Sequence, residues 1–232
     1  MRLDKYLVIN HGLSRSRAID LIKLGSVKVN NETILKPSFN TKEEDIITID
    51  DAIKYVSRAG MKLEDAIMSF NLNFNGKTVM DIGSSTGGFT ECSLSFGARH
   101  VYAYDVGKNQ MAPTLRNDAR ITLKEETNIL EVIPKVVDIV LIDVSFTSIK
   151  PIIKHVRDYG SLFVLLYKPQ FEVGKSYVKQ GIVKDDYIVQ KSLKNFVEFL
   201  NNEGIIMKHI KPSSIKGKKG NQEYLIIGER DA

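Results

Sequence analysis

A lysine follows an unbroken apolar run in the second half of the chain. Residues 162–167 read Leu-Phe-Val-Leu-Leu-Tyr, a pattern typical of a buried strand, and Lys168 stands at its carboxyl end. Lysine is rarely buried without a partner, and open α/β sheets bind ligands outside the carboxyl ends of their strands. A lysine in such a place can act as a base, because desolvation and a neighbouring cation lower a lysine pKa from about 10.4. The alternative is a lysine that merely ends the strand and points to water.

Three more strand-like runs each end in an aspartate. The runs 77–80, 100–104 and 136–142 are followed by Asp81, Asp105 and Asp143. The carboxyl ends of parallel strands lie on one rim of a sheet, so these three acids and the lysine would meet there. Acids also cap the helices that follow strands, which explains any single one of them but is less satisfactory for the whole set.

The turn after Asp81 is rich in glycine. Residues 82–90 read Ile-Gly-Ser-Ser-Thr-Gly-Gly-Phe-Thr, and a helical stretch follows. Phe89 stands where a phosphate loop needs its lysine, and the turn lacks the glycine-x-glycine start of a dinucleotide fingerprint. An acid before such a turn suits the cationic groups of S-adenosylmethionine. Asp105, 24 residues further on, can accept both ribose hydroxyls of an adenosine.

Composition limits the function classes. With 232 residues, 43% of them hydrophobic, the chain can bury one sizeable core and carry a small appendage. A single cysteine, Cys92, excludes an intramolecular disulfide and a cysteine-rich zinc site, and the four histidines lack metal-ligand spacing, so we expect no metal. The amino terminus has no apolar signal region and no run reaches membrane-spanning length. We therefore expect a cytoplasmic protein without a membrane span.

Basic residues are concentrated near both ends of the chain, which has a net charge of +5. Residues 1–40 hold seven Lys or Arg against three Asp or Glu, and residues 208–219 hold five lysines and no acid. Such clusters can bind phosphates with salt-sensitive affinity. The alternative is a solvated charged face without a partner.

The pattern of elements divides the chain into two parts. Residues 1–50 predict a small module, with two short helices (the second ending near Leu24), a hairpin turning at Asn30-Asn31 and a closing strand over 46–49. Residues 51–60 are expected to form a linker. From residue 77, strands and helices alternate as in a parallel sheet, and residues 223–228 are expected to return as an antiparallel edge strand.

Several blocks of the sequence resemble a known family. Arg2-Leu-Asp-Lys, Leu13-Ser-Arg-Ser-Arg-Ala and Gly25-Ser-Val-Lys-Val-Asn are similar to an S4-type RNA-binding domain. The blocks 55–63, 81–90, 143–149, 168–172 and 220–224 are similar to the TlyA family of FtsJ-like ribosomal RNA 2′-O-methyltransferases, many of which are called haemolysins. The resemblance implies an α/β fold, with a Rossmann-like class I S-adenosylmethionine-dependent methyltransferase domain over 61–232 and a small α+β S4-type domain over 1–50.

The resemblance also implies roles for particular residues. A catalytic tetrad would comprise Lys62, Asp143, Lys168 and Glu223, with Lys168 as general base, Lys62 and Glu223 orienting it, and Asp143 holding it or the substrate. S-adenosylmethionine would be bound by Asp81, Gly83, Ser84, Thr86, Gly87, Gly88, Asp105 and Asn128. RNA would be bound by Arg2, Arg15, Arg17, Lys23, Lys28 and Arg58. The partner would be ribosomal RNA in a ribosomal subunit, modified at a cytidine.

The sequence departs from the family pattern in two places. In residues 106–113, the position immediately before Gln110 is not the glycine of the family pattern, and Pro113 stands in place of a tryptophan. Further on, Leu130 replaces an arginine. Three other functions remain open: an inactive RNA-binding or ribosome-assembly factor, a membrane-active haemolysin and a methyltransferase of small molecules. A small substrate would need neither the S4-type module nor the basic cluster at 208–219.

Overall fold

The computed structural model describes residues 1–23, 25–49, 54–217 and 219–231. Its amino-terminal module packs two helices on a three-stranded antiparallel sheet. The elements are α1 (Leu3–His11), α2 (Arg15–Lys23), β1 (Val27–Val29), β2 (Glu32–Thr33) and β3 (Ile47–Ile49), with sheet order β2-β1-β3. The hairpin turns where the sequence predicts it, with positive φ at Asn30 and Asn31. Leu24, the predicted end of the second helix, lies outside the described residues.

The segment between the module and the larger part is packed and partly helical toward its carboxyl end. Residues 50–53 lie outside the described residues, and the side chain of Tyr55 is buried. Helix α3 (Arg58–Phe70) begins inside the predicted linker 51–60. Its buried face carries Leu63, Ala66 and Ile67 into the core of the larger part. The end of the linker is therefore fixed against that core.

A seven-stranded sheet forms the centre of the larger part. Its strands are β4 (Thr78–Ile82), β5 (His100–Tyr104), β6 (Ile121–Lys124), β7 (Ile139–Ile142), β8 (Leu162–Tyr167), β9 (Ile205–Pro212) and β10 (Tyr224–Arg230). The order is β6-β5-β4-β7-β8-β10-β9, with β4 to β8 parallel and β10 antiparallel to both of its neighbours. The chain winds outward from β4 in one direction and from β7 in the other. A ligand crevice is expected at this switch point.

Helices cover the sheet and connect its strands. They are α4 (Gly88–Ser95), α5 (Pro113–Arg116), α6 (Lys150–Val156), α7 (Pro169–Glu172) and α8 (Asp186–Asn202), with single 3₁₀ turns at Ile129–Glu131, Arg157–Tyr159 and Lys175–Tyr177. The side chains of β7 and β8 are buried on both faces, as their near-continuous apolar runs predict. Among the described residues, no helix combines the length and apolar character needed to cross a bilayer.

The strand that returns at the end of the chain is antiparallel, as predicted, but it is not an edge strand. Strand β10 lies between β8 and β9, and its residues Leu225, Ile226 and Ile227 are almost completely buried. The edge is β9, which comes before it in the chain. The prediction was wrong because a short apolar strand has the same local sequence pattern whether its second neighbour is another strand or solvent.

Candidate active site

Two buried lysine–carboxylate pairs stand at the carboxyl ends of the central strands. The Nζ of Lys168, just beyond β8, lies 2.5 Å from Oδ1 of Asp143, just beyond β7, and donates to Oγ of Ser145 at 3.1 Å. The Nζ of Lys62, on α3, lies 2.5 Å from Oε2 of Glu223, just before β10. Both lysines are 8% exposed. The structure thus brings together the four residues that the sequence blocks place in a tetrad.

Local sequence explains these positions. Pro169 disfavours helical backbone at Lys168 and occupies the first turn of α7, so the strand ends at the lysine. Lys62 lies on the buried face of α3 beside Leu63, so its stem packs with the core while its ammonium group reaches Glu223. The loop that contains Gly217 lies against the Glu223 carboxylate. It can do so because glycine has no Cβ, and a Cβ at this position would collide with that carboxylate.

A cavity of about 520 Å³ contains both pairs. Its wall also includes Gly83, Ser84 and Thr86 of the glycine-rich turn, and Arg17 and Asp20 from the amino-terminal module. The cavity therefore joins the catalytic candidates, part of the predicted cofactor loop and the module in one space. No set of three His, Cys, Asp or Glu side chains within the described ranges is grouped so that it could hold a metal ion.

Asp81 is the most deeply buried of the cofactor candidates. It is 0% exposed, and its Oδ2 accepts a hydrogen bond of 2.6 Å from the hydroxyl of Thr90. Burial raises the pKa of Asp81 to about 7; the Thr90 hydroxyl opposes this shift, and the carboxylates of Asp143 and Asp105 add to it. Its Oδ1 and the Oγ of Ser84 have no hydrogen-bond partner among the described residues. Such orphaned buried atoms fit a ligand that brings its own donors, as the ammonium group of S-adenosylmethionine would.

The glycines of the turn have packing roles. A Cβ at Gly83, whose φ is +84°, would collide with the carbonyl of Asp143, and one at Gly87, with φ +94°, would collide with Met111. A Cβ at Gly88 would collide with Ser57. The sequence predicts that glycine lets a ligand approach this turn. In the structure, glycine also lets β7, the 107–112 loop and the start of α3 approach it.

Asp105 and Asn128 lie away from the cavity wall and already have partners. The two oxygens of Asp105 accept the backbone N–H groups of Ser85 at 2.8 Å and Gly107 at 2.7 Å. Asn128 accepts the N–H of Leu130 and so caps a 3₁₀ turn. Of the eight predicted cofactor residues, those absent from the wall are Asp81, Gly87, Gly88, Asp105 and Asn128. The oxygens of Asp105 keep free lone pairs, so its predicted contact with ribose hydroxyls stays a prediction.

Two of the predicted RNA-binding residues lie between the module and the larger part. Arg17 donates to the carbonyl of Tyr55, and Arg58 forms a salt bridge of 3.0 Å with Asp20, both side chains being largely buried. Both also line the cavity, and RNA binding by these two residues stays a prediction.

The other predicted RNA contacts lie on the surface of the module. Arg2 makes a bidentate pair with Asp4 at 2.8 and 2.9 Å. The side chain of Arg15 is 75% exposed and lies 4.0 Å from the same acid. Lys23 is exposed and Lys28 is half-buried on β1. RNA binding by these four residues stays a prediction.

Sequence reasoning missed Phe146 and Ser145 as site residues. Phe146 is 92% exposed at the mouth of the cavity, with a φ of +69° that is unusual for a bulky side chain. Its ring centroid lies 5.8 Å from that of Phe171. The loop that carries it is fixed by Glu172, which accepts hydrogen bonds from Ser148 and from the N–H of Ile149. A signal existed, because both missed residues follow Asp143 directly in one of the quoted blocks.

Comparison with known proteins gives matches over nearly the whole chain. A model of FtsJ-like methyltransferases matches residues 55–230, and a model of the S4 domain matches residues 1–47. The chain is 42% identical to Hemolysin A of Brachyspira hyodysenteriae, over 97% of this chain and 98% of that protein. It is 34% identical to the 23S rRNA (cytidine-2′-O)-methyltransferase TlyA of Campylobacter jejuni, over 97% of each. A solved structure from Streptococcus thermophilus, described as a hemolysin, has 33% identity and a TM-score of 0.80 and covers 100% of this chain and 88% of its own.

Proposed function

Because the chain belongs to the FtsJ-like methyltransferase family and carries an S4 domain, we propose that it transfers a methyl group from S-adenosylmethionine to a ribose 2′-hydroxyl of ribosomal RNA. The resemblance drawn from its sequence blocks is confirmed by both family matches. The observation that carries the proposal is the pair of buried lysine–carboxylate contacts in one cavity with the glycine-rich turn. A ribose hydroxyl needs a base beside it, and the cofactor needs orphaned acceptors such as Asp81 Oδ1.

Lys168 is the base in this proposal. The bound cofactor would supply an electrophilic methyl group on its sulfonium. Lys168 Nζ accepts the proton of the attacking 2′-hydroxyl. The carboxylate of Asp143, 2.5 Å away, holds Nζ in position. Positioning the reactants supplies most of the acceleration, and proton removal adds a factor of about 10²–10⁴.

The second pair and the exposed ring position the nucleotide. Glu223 is held by Lys62 through Oε2. Its Oε1 accepts a long hydrogen bond of 3.5 Å from Gln170 and keeps a lone pair for a ribose hydroxyl. Phe146 offers an exposed aromatic face at the cavity on which a base can stack, and stacking of this kind is worth about 1–3 kcal/mol per base. The printed name of the Campylobacter jejuni relative makes cytidine the base that we propose.

The test is transfer of labelled methyl from S-adenosylmethionine to purified ribosomal subunits, followed by nucleoside mapping. The wild-type protein should yield 2′-O-methylcytidine, and free nucleosides should not be modified. Lys168→Met should lower the rate about 10²- to 10⁴-fold while cofactor affinity stays within about twofold, because the base is lost and the cofactor crevice is not. Lys191→Met, an exposed lysine on α8, is the matched control and should behave as the wild type.

Two results would contradict the proposal. Rapid transfer by Lys168→Met would remove that residue from the role of base. Cofactor binding without transfer to any ribosomal subunit would favour the alternative of an inactive RNA-binding protein.

A further inference from the structure

We infer that two loops of the methyltransferase domain form a second RNA-binding surface, which holds the phosphates next to the target nucleotide. The surface, here called the lysine rim, consists of residues 173–184 after α7, and of residues 213–217 and 219–222 before β10. The inference rests on the proposed function and adds a binding site to it. Four observations support it: the charge of the rim, the hydrogen bonds within it, its position beside the cavity, and the contacts that the arginines of the cavity wall already make.

The rim is positive and uncompensated. Residues 173–184 contain three lysines and residues 213–222 contain three more, with no Asp or Glu in either segment. Lys175, Lys179, Lys216 and Lys219 are exposed, and none of them forms an ion pair with another described residue. Lys218 lies outside the described residues. Exposed ammonium groups without an ion pair are available to phosphates, and they gain most from releasing the counterions of a nucleic acid.

The lysine cluster predicted over 208–219 does not act as one surface. Lys208 lies 3.3 Å from Glu229, and Lys211 lies 2.8 Å from Asp65. Both are on β9, and their charge is already balanced. The part of that cluster which remains uncompensated is the part that belongs to the rim.

The two loops are fixed to each other before any RNA arrives. The side chain of Asn221, only 4% exposed, donates to the carbonyl of Gly181 at 2.7 Å and accepts from the N–H of Val183 at 3.0 Å. Lys179 and Ile182 form a β-bridge around the turn at Gly181, and Lys219 Nζ donates to the carbonyl of Gln180 at 3.3 Å. A preformed surface loses less conformational entropy on binding than two free loops would.

The rim borders the cavity that contains the proposed reaction. Val178, Gly181 and Lys219 line its wall, as do Lys168 and Glu223. A phosphate bound at the rim would therefore belong to the target nucleotide or to one beside it. Tyr177, 50% exposed between two of the lysines, adds an aromatic surface of the kind that single-stranded RNA uses.

Arg17 and Arg58, which also line the cavity, already have partners. Arg17 donates to the carbonyl of Tyr55, and Arg58 is paired with Asp20. The exposed lysines of the rim therefore add positive charge to that of Arg17 beside the cavity. Because ammonium groups contact phosphates and do not read base edges, the rim should strengthen binding equally for all sequences.

The experiment measures affinity for a ribosomal RNA fragment against salt concentration, without cofactor. The variant Lys175→Gln/Lys179→Gln/Lys216→Gln should reduce the slope of log affinity against log salt by about 2–3, at 0.7–0.9 per phosphate contact. Affinity at about 0.15 M salt should then fall roughly 50- to 150-fold. The control Lys135→Gln/Lys191→Gln/Lys194→Gln removes the same charge from exposed lysines elsewhere and should change the slope by less than 1.

A second variant separates charge from folding. Replacing the same three rim lysines by arginine should keep the wild-type slope, and all variants should bind cofactor as the wild type does. A rim variant with the control's slope would overturn the inference, as would a wild-type protein that does not bind RNA. If the rim variant loses slope while even the wild type transfers no methyl group, the proposed activity fails and the lysine rim stands.

Discussion

The buried carboxyl of Asp81 makes a sharp prediction about cofactor binding and pH. Burial raises its pKa to about 7 in the ligand-free protein, against the hydrogen bond from Thr90 and with the help of Asp143 and Asp105. Its unpartnered Oδ1 is the proposed acceptor for the cationic amine of the cofactor. An ammonium donor binds the ionised carboxylate, so below pH 7 the carboxyl must lose its proton before the contact forms. Cofactor affinity should therefore fall with decreasing pH.

The expected size follows from the pKa. The ionised fraction of a group with a pKa of about 7 is about three quarters at pH 7.5 and about 1/30 at pH 5.5. Affinity should fall about 20- to 25-fold between these values, which corresponds to about 2 kcal/mol. No histidine is among the residues of the cavity wall, so the usual group that titrates in this range does not complicate the result.

Calorimetry with S-adenosylhomocysteine provides the assay, because this demethylated form of the cofactor is the product of the transfer and is not consumed. Measurements at pH 6 in buffers of different ionisation enthalpy should show release of nearly one proton per molecule bound. In Asp81→Asn the affinity should be low and nearly independent of pH. A wild-type affinity that stays constant from pH 7.5 to pH 5.5, or an Asn variant with the wild-type slope, would refute the reasoning.

Two further substitutions test the loops around the site. Burial alone would raise the pKa of Glu125, but the N–H groups of residues 109–111 and the guanidinium of Arg116 hold it at about 2. Because folding lowers this pKa, Glu125 contributes at most about 3 kcal/mol of stability above about pH 4.5, and this contribution is lost toward pH 2. Glu125→Gln should therefore lower the free energy of unfolding in urea by about 2–3 kcal/mol at pH 7. An equal loss at low pH would contradict this reasoning. Phe146→Gly should raise the free energy of unfolding by about 1 kcal/mol because glycine adopts the left-handed backbone without strain, and Phe146→Ala should not raise it. Both variants should weaken RNA binding. Equal stability of the two variants would contradict the strain at Phe146.

The central strands could be predicted because their signal is local. Apolar runs before Asp81, Asp105, Asp143 and Lys168 correspond to β4, β5, β7 and β8, and the polar residues lie at their carboxyl ends. The predicted parallel sheet follows from the alternation of these runs with helical segments. The place of β10 inside the sheet could not be predicted in this way, because strand order depends on packing between distant segments.

Roles that depend on contacts were harder to predict. The family resemblance implies that Arg17 and Arg58 bind RNA, and this role stays a prediction. In the structure they bond to Tyr55 and Asp20 across the junction of the two parts. The exposed ring of Phe146 was missed because an aromatic residue in a short loop is usually buried. Whether such a ring is exposed is decided by the tertiary fold and not by the local sequence.

The sequence by itself determined which polar groups stand at strand ends and which segments are basic, because both are set by the order of residues along the chain. Only the tertiary structure decided their partners. Lys62 meets Glu223 across 161 residues, and Asn221 joins the two loops of the lysine rim across 40. These contacts arise because α3 packs beside the sheet and β10 inserts next to β8, which brings distant acids, lysines and amides into one crevice.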